Sequence, residues 1–580
     1  MKGFWNKCLR VDLDRGTWRT EPLSDDLLAR TLGGKGLGTA LLLAENPPGV
    51  DALSPGNRFI LTTGPVTGTS MWGQSRFAAF SKSPATGGFA ESYCGGTLAP
   101  KIKGCGVDAV ILEGRRPALS FLAIEEQGVT FHDAEPFRGW TTERAEDALL
   151  ALSSPGAGAM TIGPAGENGV RFACIKSDRW RSLGRCGLGA VLGSKNVKGI
   201  SFCGARRAAI SDPDGMRRII SAIARKGNEN PVSALYRKYG TPMQVALTNA
   251  QNCFPTRYWR SGHFARWERI SADYMIENFD VVSRPCPNCF LQCTKFCRVR
   301  HGRHAGLELE GPEYETIYAL GGLNEVDSLE EVAWLNDLCD KLGLDTMSAG
   351  NMAAFAVEAR ARGRLDWDMD YNQPDRIAEL FTLIAEGRGV GAVLGQGIKR
   401  ASAELGLEDL AIHVKGLEPA GFEPRVLKGM GLAYATAARG ACHLRGAFYK
   451  AELSGLVDKA AVAGKAAQVI DFEDRAALSD SLILCRFFRD LILWDDLGDI
   501  IAAATGRSFT KEELEILANE ITIDGRRFNL REGLGAEDDR LPPRFLREKT
   551  AEGMSLGPDE MGVMLGEYNA VRESRRRRPS

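Results

Sequence analysis

The sequence predicts an α+β fold, with a β-rich N-terminal part followed by a mainly helical remainder. Up to about residue 205, short β-branched or apolar runs alternate with glycine and proline, a pattern typical of strands joined by turns. After the sequence SDP at 211–213, apolar residues recur at helical spacing instead. The chain has 580 residues, several times the length of an ordinary domain, so we expect two to four domains.

Four runs carry the strand signal in the N-terminal part. They are FILTTGPV (59–66), DAVILEG (108–114), MTIGPAG (160–166) and VKGISFCG (197–204). Each is rich in residues that suit a pleated, half-buried surface, and glycine or proline marks its ends. We therefore expect a sheet-rich domain here.

Three later segments predict helices with defined ends. The segment DGMRRIISAIARKGNE follows a polar cap and a proline, the arrangement of a helix start. In residues 327–345, Ser328 and Glu331 form a capping-box pattern, and Gly343 occupies a position where helices end in the left-handed conformation. The segment 474–494 is apolar on nearly all sides, so it predicts a buried helix that carries Cys485.

Composition and charge exclude several classes of function. Lys and Arg number 73 against 74 Asp and Glu, so no overall field draws the protein to nucleic acid or to an anionic membrane. No apolar run reaches the roughly 18 residues of a membrane span, and the N-terminus lacks the apolar core of a signal peptide. We expect a cytoplasmic protein, and we interpret the arginine run at 575–578 as a solvated, disordered tail.

The strongest local signal is CPNCFLQCTKFC, residues 286–297, with the spacing C-x2-C-x3-C-x3-C. Its prolines and polar residues indicate a turn, and sulfurs at these spacings can reach one metal centre. His301 and His304 lie just downstream, so a zinc site is one interpretation. Three loop cysteines with a fourth from elsewhere are also typical of an iron–sulfur cluster, and the fourth would be Cys485 or Cys297.

Nine further segments are spread along nearly the whole chain: GFWNKCLRVDLDRGTW, LSPGNRFILTTGPVTGTS, GQSRFAAFSKSPATGGF, IGPAGENGVRFACI, GAVLGSKNVKGI, EGPEYETIYALG, DKLGLDTMSAG, GLAYATAARGACH and RRFNLREGLG. Together with the cysteine loop, they resemble the aldehyde ferredoxin oxidoreductase family. The resemblance implies tungsten or molybdenum on two pyranopterins beside one 4Fe-4S cluster, with Mg bridging the pterin phosphates.

The resemblance also implies three domains with the cofactor at their junction. Residues 1–207 would form a β-rich domain that binds the pterin cofactor. Residues 208–415 would be helical and hold the cysteine loop and a first pterin motif. Residues 416–580 would be helical and hold a second pterin motif and the fourth cluster cysteine.

The first pterin motif of the family, D-x2-G-L-D, is intact here as DKLGLD, so Asp340, Leu344 and Asp345 are implied to bind a pterin. A carboxylate can accept two charge-assisted hydrogen bonds from the guanine-like donors of a pterin. The second motif reads DSLILC, with Ile483 in place of the expected glycine. It implies the pterin ligands Asp480 and Leu484, and it makes Cys485 the cluster ligand that joins Cys286, Cys289 and Cys293.

Other residues are assigned by the same resemblance. Arg76 is implied to lie between cluster and pterin, where a guanidinium could donate to both. Glu315 in GPEYET and His443 in GACH match an acid and a histidine near the metal. The segments 92–96 and 181–187 match loops whose backbone holds the pterin phosphates. The further cofactor-binding residues implied are Tyr93, Gly95, Arg181, Ser182, Leu183, Gly184, Arg185 and Arg445.

The function that the resemblance implies is oxidation of a small aldehyde with water to a carboxylic acid, with electrons leaving through the cluster to ferredoxin or a ferredoxin-like subunit. Glu315 would act as general base and His443 would donate to the carbonyl oxygen. Two alternatives stay open: a low-potential reductase like the family's benzoyl-coenzyme A reductases, and a zinc-stabilised binding scaffold. The sequence does not choose tungsten over molybdenum.

One departure from the family bears on assembly. Some relatives hold a metal between subunits with an E-x2-H pair, but Trp334 and Asp337 occupy those positions here. We expect any homodimer to form without a bridging metal.

Overall fold

The structure, a computed structural model, describes residues 1–575. Most of the terminal arginine run therefore lies outside the described residues, while Arg575 pairs with Asp474 at 2.6 Å. None of the described helices combines the length and apolarity that a bilayer span requires.

Two six-stranded sheets form the N-terminal part. The first contains β1 (Lys7–Asp12), β2 (Thr17–Pro22), β3 (Phe59–Thr62), β4 (Phe77–Lys82), β5 (Phe89–Cys94) and β6 (Ala109–Glu113), in the order β2-β1-β6-β3-β4-β5. The second contains β7 (Ser120–Glu125), β8 (Gly128–Asp133), β9 (Gly158–Thr161), β10 (Ile175–Ser177), β11 (Arg181–Leu183) and β12 (Val197–Cys203), in the order β11-β10-β9-β12-β7-β8. All four predicted strand runs are confirmed.

Both sheets share one apolar core. Leu61 of the first sheet and Ile200 of the second belong to the same buried cluster. Six helices cover or join the sheets: α1 (Asp25–Thr31), α2 (Gly34–Glu45), α3 (Leu98–Gly104), α4 (Thr142–Ala151), α5 (Pro164–Glu167) and α6 (Leu188–Ser194). The short strand β11 brings residues 181–183 to the edge of the second sheet, close to the first pterin motif described below.

The remainder of the chain is mainly helical. Its helices are α7 (Pro213–Glu229), α8 (Pro231–Tyr239), α9 (Gln244–Ala250), α10 (Ala272–Asn278), α11 (Tyr314–Thr316), α12 (Leu329–Leu342), α13 (Thr346–Ala361), α14 (Pro374–Glu386), α15 (Val390–Leu394), α16 (Ile398–Leu405), α17 (Lys428–Thr436), α18 (Tyr449–Leu453), α19 (Lys465–Ser481), α20 (Trp494–Thr505), α21 (Lys511–Arg531), α22 (Pro543–Arg547) and α23 (Pro558–Ser574). A small sheet of β13 (Phe279–Ser283), β14 (Lys295–Val299) and β15 (Glu308–Glu310) carries the cysteine loop. The predicted α+β class is confirmed.

One large apolar core runs through the helical part, from Ala165 to Tyr568. This core contains residues from both sides of position 415. The predicted domain boundaries at 207 and 415 therefore stay predictions.

The predicted ends of α12 are confirmed. Ser328 caps the helix by accepting a hydrogen bond from the N–H of Glu331, and Gly343 ends it with φ +76°. The carboxylate of Glu331 binds Arg303 at 2.6 Å, so it does not complete the capping box.

The predicted helix over 474–494 is confirmed up to Ser481 and wrong beyond it. Helix α19 ends at Ser481 and α20 begins only at Trp494, because the chain turns at Ile483, whose φ is +62°. The N–H of Cys485 donates to the carbonyl of Gly73 at 3.0 Å, so contacts with the N-terminal part override the local apolar pattern. Cys485 consequently lies on a turn and not on a helix.

Helix α23 is anchored by a buried guanidinium. Arg572 is 4% exposed, and it binds Glu473 at 2.7 Å, Asp474 at 2.5 Å and Asn519 at 3.0 Å. Both carboxylates lie on α19 and Asn519 lies on α21, so one side chain ties three helices together.

Replacing this side chain should destabilise the protein strongly. Arg572→Ala leaves buried Glu473 without a cation and buried Asp474 with Arg575 alone, and we expect the free energy of unfolding to fall by about 3 kcal/mol. The thermal unfolding midpoint measures the effect. Arg217→Ala is the matched control, because Arg217 forms an exposed pair with Asp214 and exposed pairs contribute about 1 kcal/mol or less. Equal midpoints for the two variants would contradict the anchoring role.

Candidate active site

Four cysteines from two distant segments line one small cavity. Cys286, Cys289 and Cys293 come from the loop between β13 and β14, and Cys485 comes from the turn after α19. Cys297 lies elsewhere: it is fully buried in the main apolar core, and burial raises its pKa to about 12. Of the two candidates for the fourth cysteine, the structure brings Cys485 to the other three.

Arg76 lines the same cavity. Its Nη1 lies 3.7 Å from the sulfur of Cys485, and its Nη2 donates to the carbonyl of Tyr93 at 3.3 Å. Burial lowers the pKa of Arg76, but the electrostatic effect of the facing Cys485 and Cys286 side chains outweighs burial and raises the pKa above its ordinary value. The guanidinium therefore supplies a fixed positive charge beside the sulfurs.

The loop after β5 also touches the cysteines. The N–H of Gly96 donates to the sulfur of Cys286 at 3.3 Å, and a Cβ on Gly95 would lie 3.3 Å from the same sulfur. The segment that sequence analysis assigned to a pterin phosphate thus lies against the cysteine loop.

The four sulfurs surround a space without forming a site for one ion. Within residues 1–575, no three His, Cys, Asp or Glu side chains are placed to hold a single metal ion. His301 is exposed, and His304 stacks on Trp334 with ring centroids 4.8 Å apart and contacts Glu331 at 3.0 Å. Cysteines spread around a cavity suit a polynuclear cluster better than a tetrahedral zinc ion.

The residues of the predicted phosphate loop at 181–187 contact different parts of the structure. Arg181 donates to the hydroxyl of Thr294 at 2.8 Å, so it lies against the cysteine loop. Ser182 accepts from Lys176 at 2.6 Å, Leu183 is buried in the core of the sheets, and a Cβ on Gly184 would meet only an ordinary contact at 3.7 Å.

The first pterin motif places two acids beside basic partners. Asp340 accepts from Lys176 at 2.6 Å. Asp345 caps α13 and accepts from Nε of Arg185 at 2.9 Å, while Leu344 is buried. A carboxylate has about four acceptor positions, so both acids keep capacity for a further donor.

The second motif keeps the backbone turn of the first without its glycine. Gly343 has φ +76° and Ile483 has φ +62°, so both helices end in a left-handed residue. For a β-branched residue this conformation costs about 1–2 kcal/mol. Asp480 binds Arg486 at 2.6 Å and also binds Arg445, and Leu484 is buried in the apolar cluster around α20.

Three buried arginines near Asp480 offer unused donors. Arg439, Arg445 and Arg486 each have an Nε without a hydrogen-bond partner, although a buried unpaired donor costs about 1–3 kcal/mol. The Tyr93 ring lies 4.3 Å from the guanidinium of Arg445. These donors suit a ligand rich in acceptors, such as a pterin with its phosphate.

Among these three arginines, only Arg445 is implied by the family resemblance. Arg439 stands four residues before His443, and Arg486 directly follows Cys485. A basic residue inside an otherwise apolar or small-residue stretch was the signal that would have identified them.

Glu315 and His443 form a pair in a largely buried position. The Nε2 of His443 lies 3.3 Å from Oε1 of Glu315, and the two side chains are 12% and 20% exposed. The N–H of Gly421 donates to the other oxygen of Glu315 at 2.9 Å. The structure thus brings together two residues that the sequence motifs place 128 positions apart.

The protonation states of this pair follow from their surroundings. Burial raises the pKa of Glu315 to about 8, against the lowering effect of the Gly421 hydrogen bond. Burial, and then the positive charges of Arg439 and Arg185, hold the pKa of His443 well below its ordinary range. Near neutral pH the pair therefore shares one proton, on the carboxyl side, and both groups are uncharged.

Comparisons with known proteins agree with this geometry. The chain matches the family model described as "Aldehyde ferredoxin oxidoreductase, N-terminal domain" over residues 8–204 and the one described as "Aldehyde ferredoxin oxidoreductase, domains 2 & 3" over residues 218–575. The protein is thus an oxidoreductase by class. The chain belongs to the aldehyde ferredoxin oxidoreductase family, so the predicted resemblance is confirmed and the zinc-stabilised scaffold is wrong.

Individual relatives extend over most of the chain. The tungsten-containing aldehyde ferredoxin oxidoreductase of Pyrococcus furiosus is 34% identical over 99% of this chain and 96% of its own length. A protein of the same organism named "Aliphatic sulfonate oxidoreductase, WOR-like subunit" is 28% identical over 72% of this chain and 71% of its own length. A solved structure described as the active site complex BamBC of benzoyl coenzyme A reductase with 1,5 dienoyl-CoA shares the fold, with a TM-score of 0.84, 22% identity, and coverage of 98% and 94% of the two chains.

The raised pKa of Glu315 predicts a pH-dependent stability difference. The carboxyl has a pKa of about 8 in the folded protein and 4.5 as its ordinary value, so the unfolded chain releases this proton at lower pH. Stability from this group is therefore lost as the pH rises between these values. Relative to Glu315→Gln, which cannot ionise, wild type should lose thermal stability from pH 6 to pH 9.

A second glutamate provides the control for this measurement. Glu135 pairs with Arg138 and has a pKa of about 2, so it stays ionised from pH 6 to pH 9. The midpoint difference between wild type and Glu135→Gln should not change over this range. A constant difference for Glu315→Gln as well would show that Glu315 is ionised in the folded protein at neutral pH.

Proposed function

We propose that this protein oxidises a small aldehyde with water to a carboxylic acid and passes the electrons to ferredoxin or a ferredoxin-like subunit. The observation that carries the proposal is the buried Glu315–His443 pair, whose histidine segment is joined to the cysteine cavity through one carboxylate. Asp480, near the end of α19, binds Arg445, two residues after His443, and Arg486, which directly follows Cys485. An acid–base pair joined in this way to a sulfur-lined cavity suits proton and electron removal from one substrate.

The residues present fit a tungsten pterin cofactor, and the curated relatives are named tungsten-containing. Donors come from the unpaired Nε atoms of the three arginines, and acceptors come from Asp340, Asp345 and Asp480. When bound, the metal would supply two-electron redox chemistry and a 4Fe-4S cluster on the four cysteines would supply single-electron transfer. Elemental analysis of the purified protein would show whether the bound metal is tungsten or molybdenum.

The magnesium ion proposed between the pterin phosphates is supported by the sequence resemblance. Gly95 and Arg181 both lie against the cysteine loop. We therefore propose that these two residues support the cluster, and that the backbone around Gly184 faces the phosphate.

The two groups can divide the proton transfers of the reaction without an imidazolium, because the low pKa of His443 disfavours that cation. Once Glu315 has released its proton, with a pKa of about 8, its carboxylate is a general base toward water or the hydrated aldehyde. The neutral imidazole of His443 keeps one N–H, which can donate to the carbonyl oxygen as charge develops there. The N–H of Gly421 stabilises the carboxylate.

Electrons have a short route to the surface. Pro285, Pro287 and Asn288, within or next to the cysteine loop, are exposed, so a partner could approach the cluster at this loop. We propose this loop as the contact for the ferredoxin-like acceptor.

Iron content should identify the fourth cluster ligand. We expect anaerobically purified Cys485→Ala to lose iron, because its sulfur faces the other three cysteines, and Cys297→Ala to keep iron, because Cys297 lies in the apolar core. Iron per chain by elemental analysis measures this. A cluster that survives the first change and disappears with the second would reverse the assignment.

Turnover should depend on the acid–histidine pair. In metal-loaded protein assayed with aldehydes and a low-potential dye, we expect Glu315→Gln and His443→Ala to lose roughly a hundredfold or more, as is usual for general acid–base groups. His304→Ala is the control, since His304 contacts Glu331 and Trp334 away from the site. Near-normal turnover of both site variants would remove the pair from the mechanism. Reduction of a substrate without any aldehyde oxidation would favour the low-potential reductase.

A further inference from the structure

A cavity of about 640 Å³ lies where four segments of the chain meet. The segments are the loop after α2, the connection from β4 to β5, helix α16 and the turn after α21. Glu315, His443 and the four cluster cysteines are not among its lining residues. Its volume is in the range of small-molecule sites, so the cavity has room for an organic ligand outside the site of the proposed reaction.

Part of the lining is apolar and suits the organic part of a ligand. This part consists of Val50, Ala52, Pro84, Ala403 and Leu534. A bare inorganic ion would leave this surface without a partner.

Two buried residues of the lining keep unused hydrogen-bond donors. Lys82 is 9% exposed, and Glu532, at 2.6 Å, is the only acceptor of its ammonium group within residues 1–575. Thr86 is 5% exposed and accepts from the N–H of Gly88 at 3.1 Å, but its own hydroxyl hydrogen has no acceptor in the same part of the chain. An ammonium group has three N–H donors, and a buried donor without an acceptor is unfavourable. A ligand rich in acceptors would use these donors.

The acid beside Lys82 is already compensated. Glu532 has a fully buried side chain and also accepts from the N–H of Gly49 at 3.1 Å and from Nε of Arg531 at 3.3 Å. One carboxylate therefore faces two cations and a backbone donor, and it leaves this wall with positive charge to spare.

Three further cations lie at the wall that α16 forms. Lys399 and Arg400 line the cavity and form no ion pair within the part of the chain that the structure describes. Arg171 is fixed beside them, because its Nε donates to Gln396 at 2.9 Å and its Nη1 donates to the carbonyl of Pro84 at 3.1 Å. Its Nη2 has no acceptor among the described residues.

These cations lie close enough to repel each other. Burial, and then the charge of Arg400, lower the pKa of Arg171, whereas Asp51 raises it. Asp51 lines the cavity and is the one acid of the lining that forms no ion pair within residues 1–575. One carboxylate does not balance three cations, so an anion in the cavity would relieve their repulsion.

We propose that this cavity binds a small organic molecule that carries a phosphate group. Guanidinium and ammonium groups at one site suit the oxygens of a doubly charged phosphate, and the apolar part of the lining suits the organic group. The proposal goes beyond the oxidation of an aldehyde and does not depend on it.

Calorimetric titration of the holoenzyme with phenyl phosphate tests the inference. At constant ionic strength, we expect a dissociation constant below about 1 mM. Inorganic phosphate lacks the organic group, and benzoate carries a single charge, so each should bind about tenfold more weakly. Tighter binding of benzoate than of phenyl phosphate would overturn the assignment to a phosphate.

Two variants of the lining should change the affinity for phenyl phosphate in opposite directions. Arg400→Gln removes an exposed cation, and we expect binding to weaken about tenfold. Asp51→Asn removes the opposing charge but keeps the oxygen that accepts from the N–H of Leu53 at 2.8 Å, and binding should strengthen about threefold. Arg388→Gln is the control, because Arg388 pairs with Glu386 and does not line the cavity.

An unchanged affinity in both lining variants, or no heat of binding at about 10 mM phenyl phosphate, overturns the inference. Glu315→Gln separates this cavity from the proposed active site, since it should bind phenyl phosphate as wild type does. Loss of binding in this variant would place the ligand beside His443 and would also overturn the inference. Absence of aldehyde oxidation by wild type would contradict only the proposed function.

Discussion

The carboxylate of Asp480, held between two buried guanidinium groups, is the interaction on which the rest of the site depends. Arg445 ties it to the segment that carries His443, and Arg486 ties it to the turn that carries Cys485. Buried charges are stable only when they are paired and hydrogen bonded. Because one carboxylate is shared by two cations, a positive excess is left in the interior, which an anionic cofactor would balance.

A second carboxylate repeats this arrangement nearby. Glu91 binds Lys35 at 2.8 Å and accepts from the phenol of Tyr93 at 2.7 Å, and its pKa is held below its ordinary range, because the Lys35 and Arg445 charges outweigh the effect of burial. Arg439 reaches the carbonyl of the same residue at 2.8 Å. The edge of the first sheet and the helical part are therefore joined by charge pairs and not only by apolar packing.

Much of this architecture could be predicted from the sequence. Three features depend on residues that are close together in the sequence, so the sequence predicts them. They are the strand-forming runs, the capped helix that ends at Gly343, and the spacing of Cys286, Cys289 and Cys293. The turn at Ile483 could not be predicted, because its left-handed backbone is set by contacts with residues more than 400 positions away. The contact between Glu315 and His443 could not be predicted for the same reason. The sequence motifs indicate each residue separately, but the fold alone brings the two side chains together.

The turn at Ile483, which brings Cys485 to the cysteine cavity, packs against glycine backbone in the N-terminal part. A Cβ on Gly64 would lie 2.4 Å from the carbonyl oxygen of Leu482, and a Cβ on Gly73 would lie 3.1 Å from the Cβ of Cys485. At both positions a Cβ would crowd the segment 482–485, so the absence of a side chain lets this segment approach the N-terminal part. Substitutions at these glycines are thereby limited by the turn that carries Cys485, more than 400 positions later in the chain, and neither segment can change without the other.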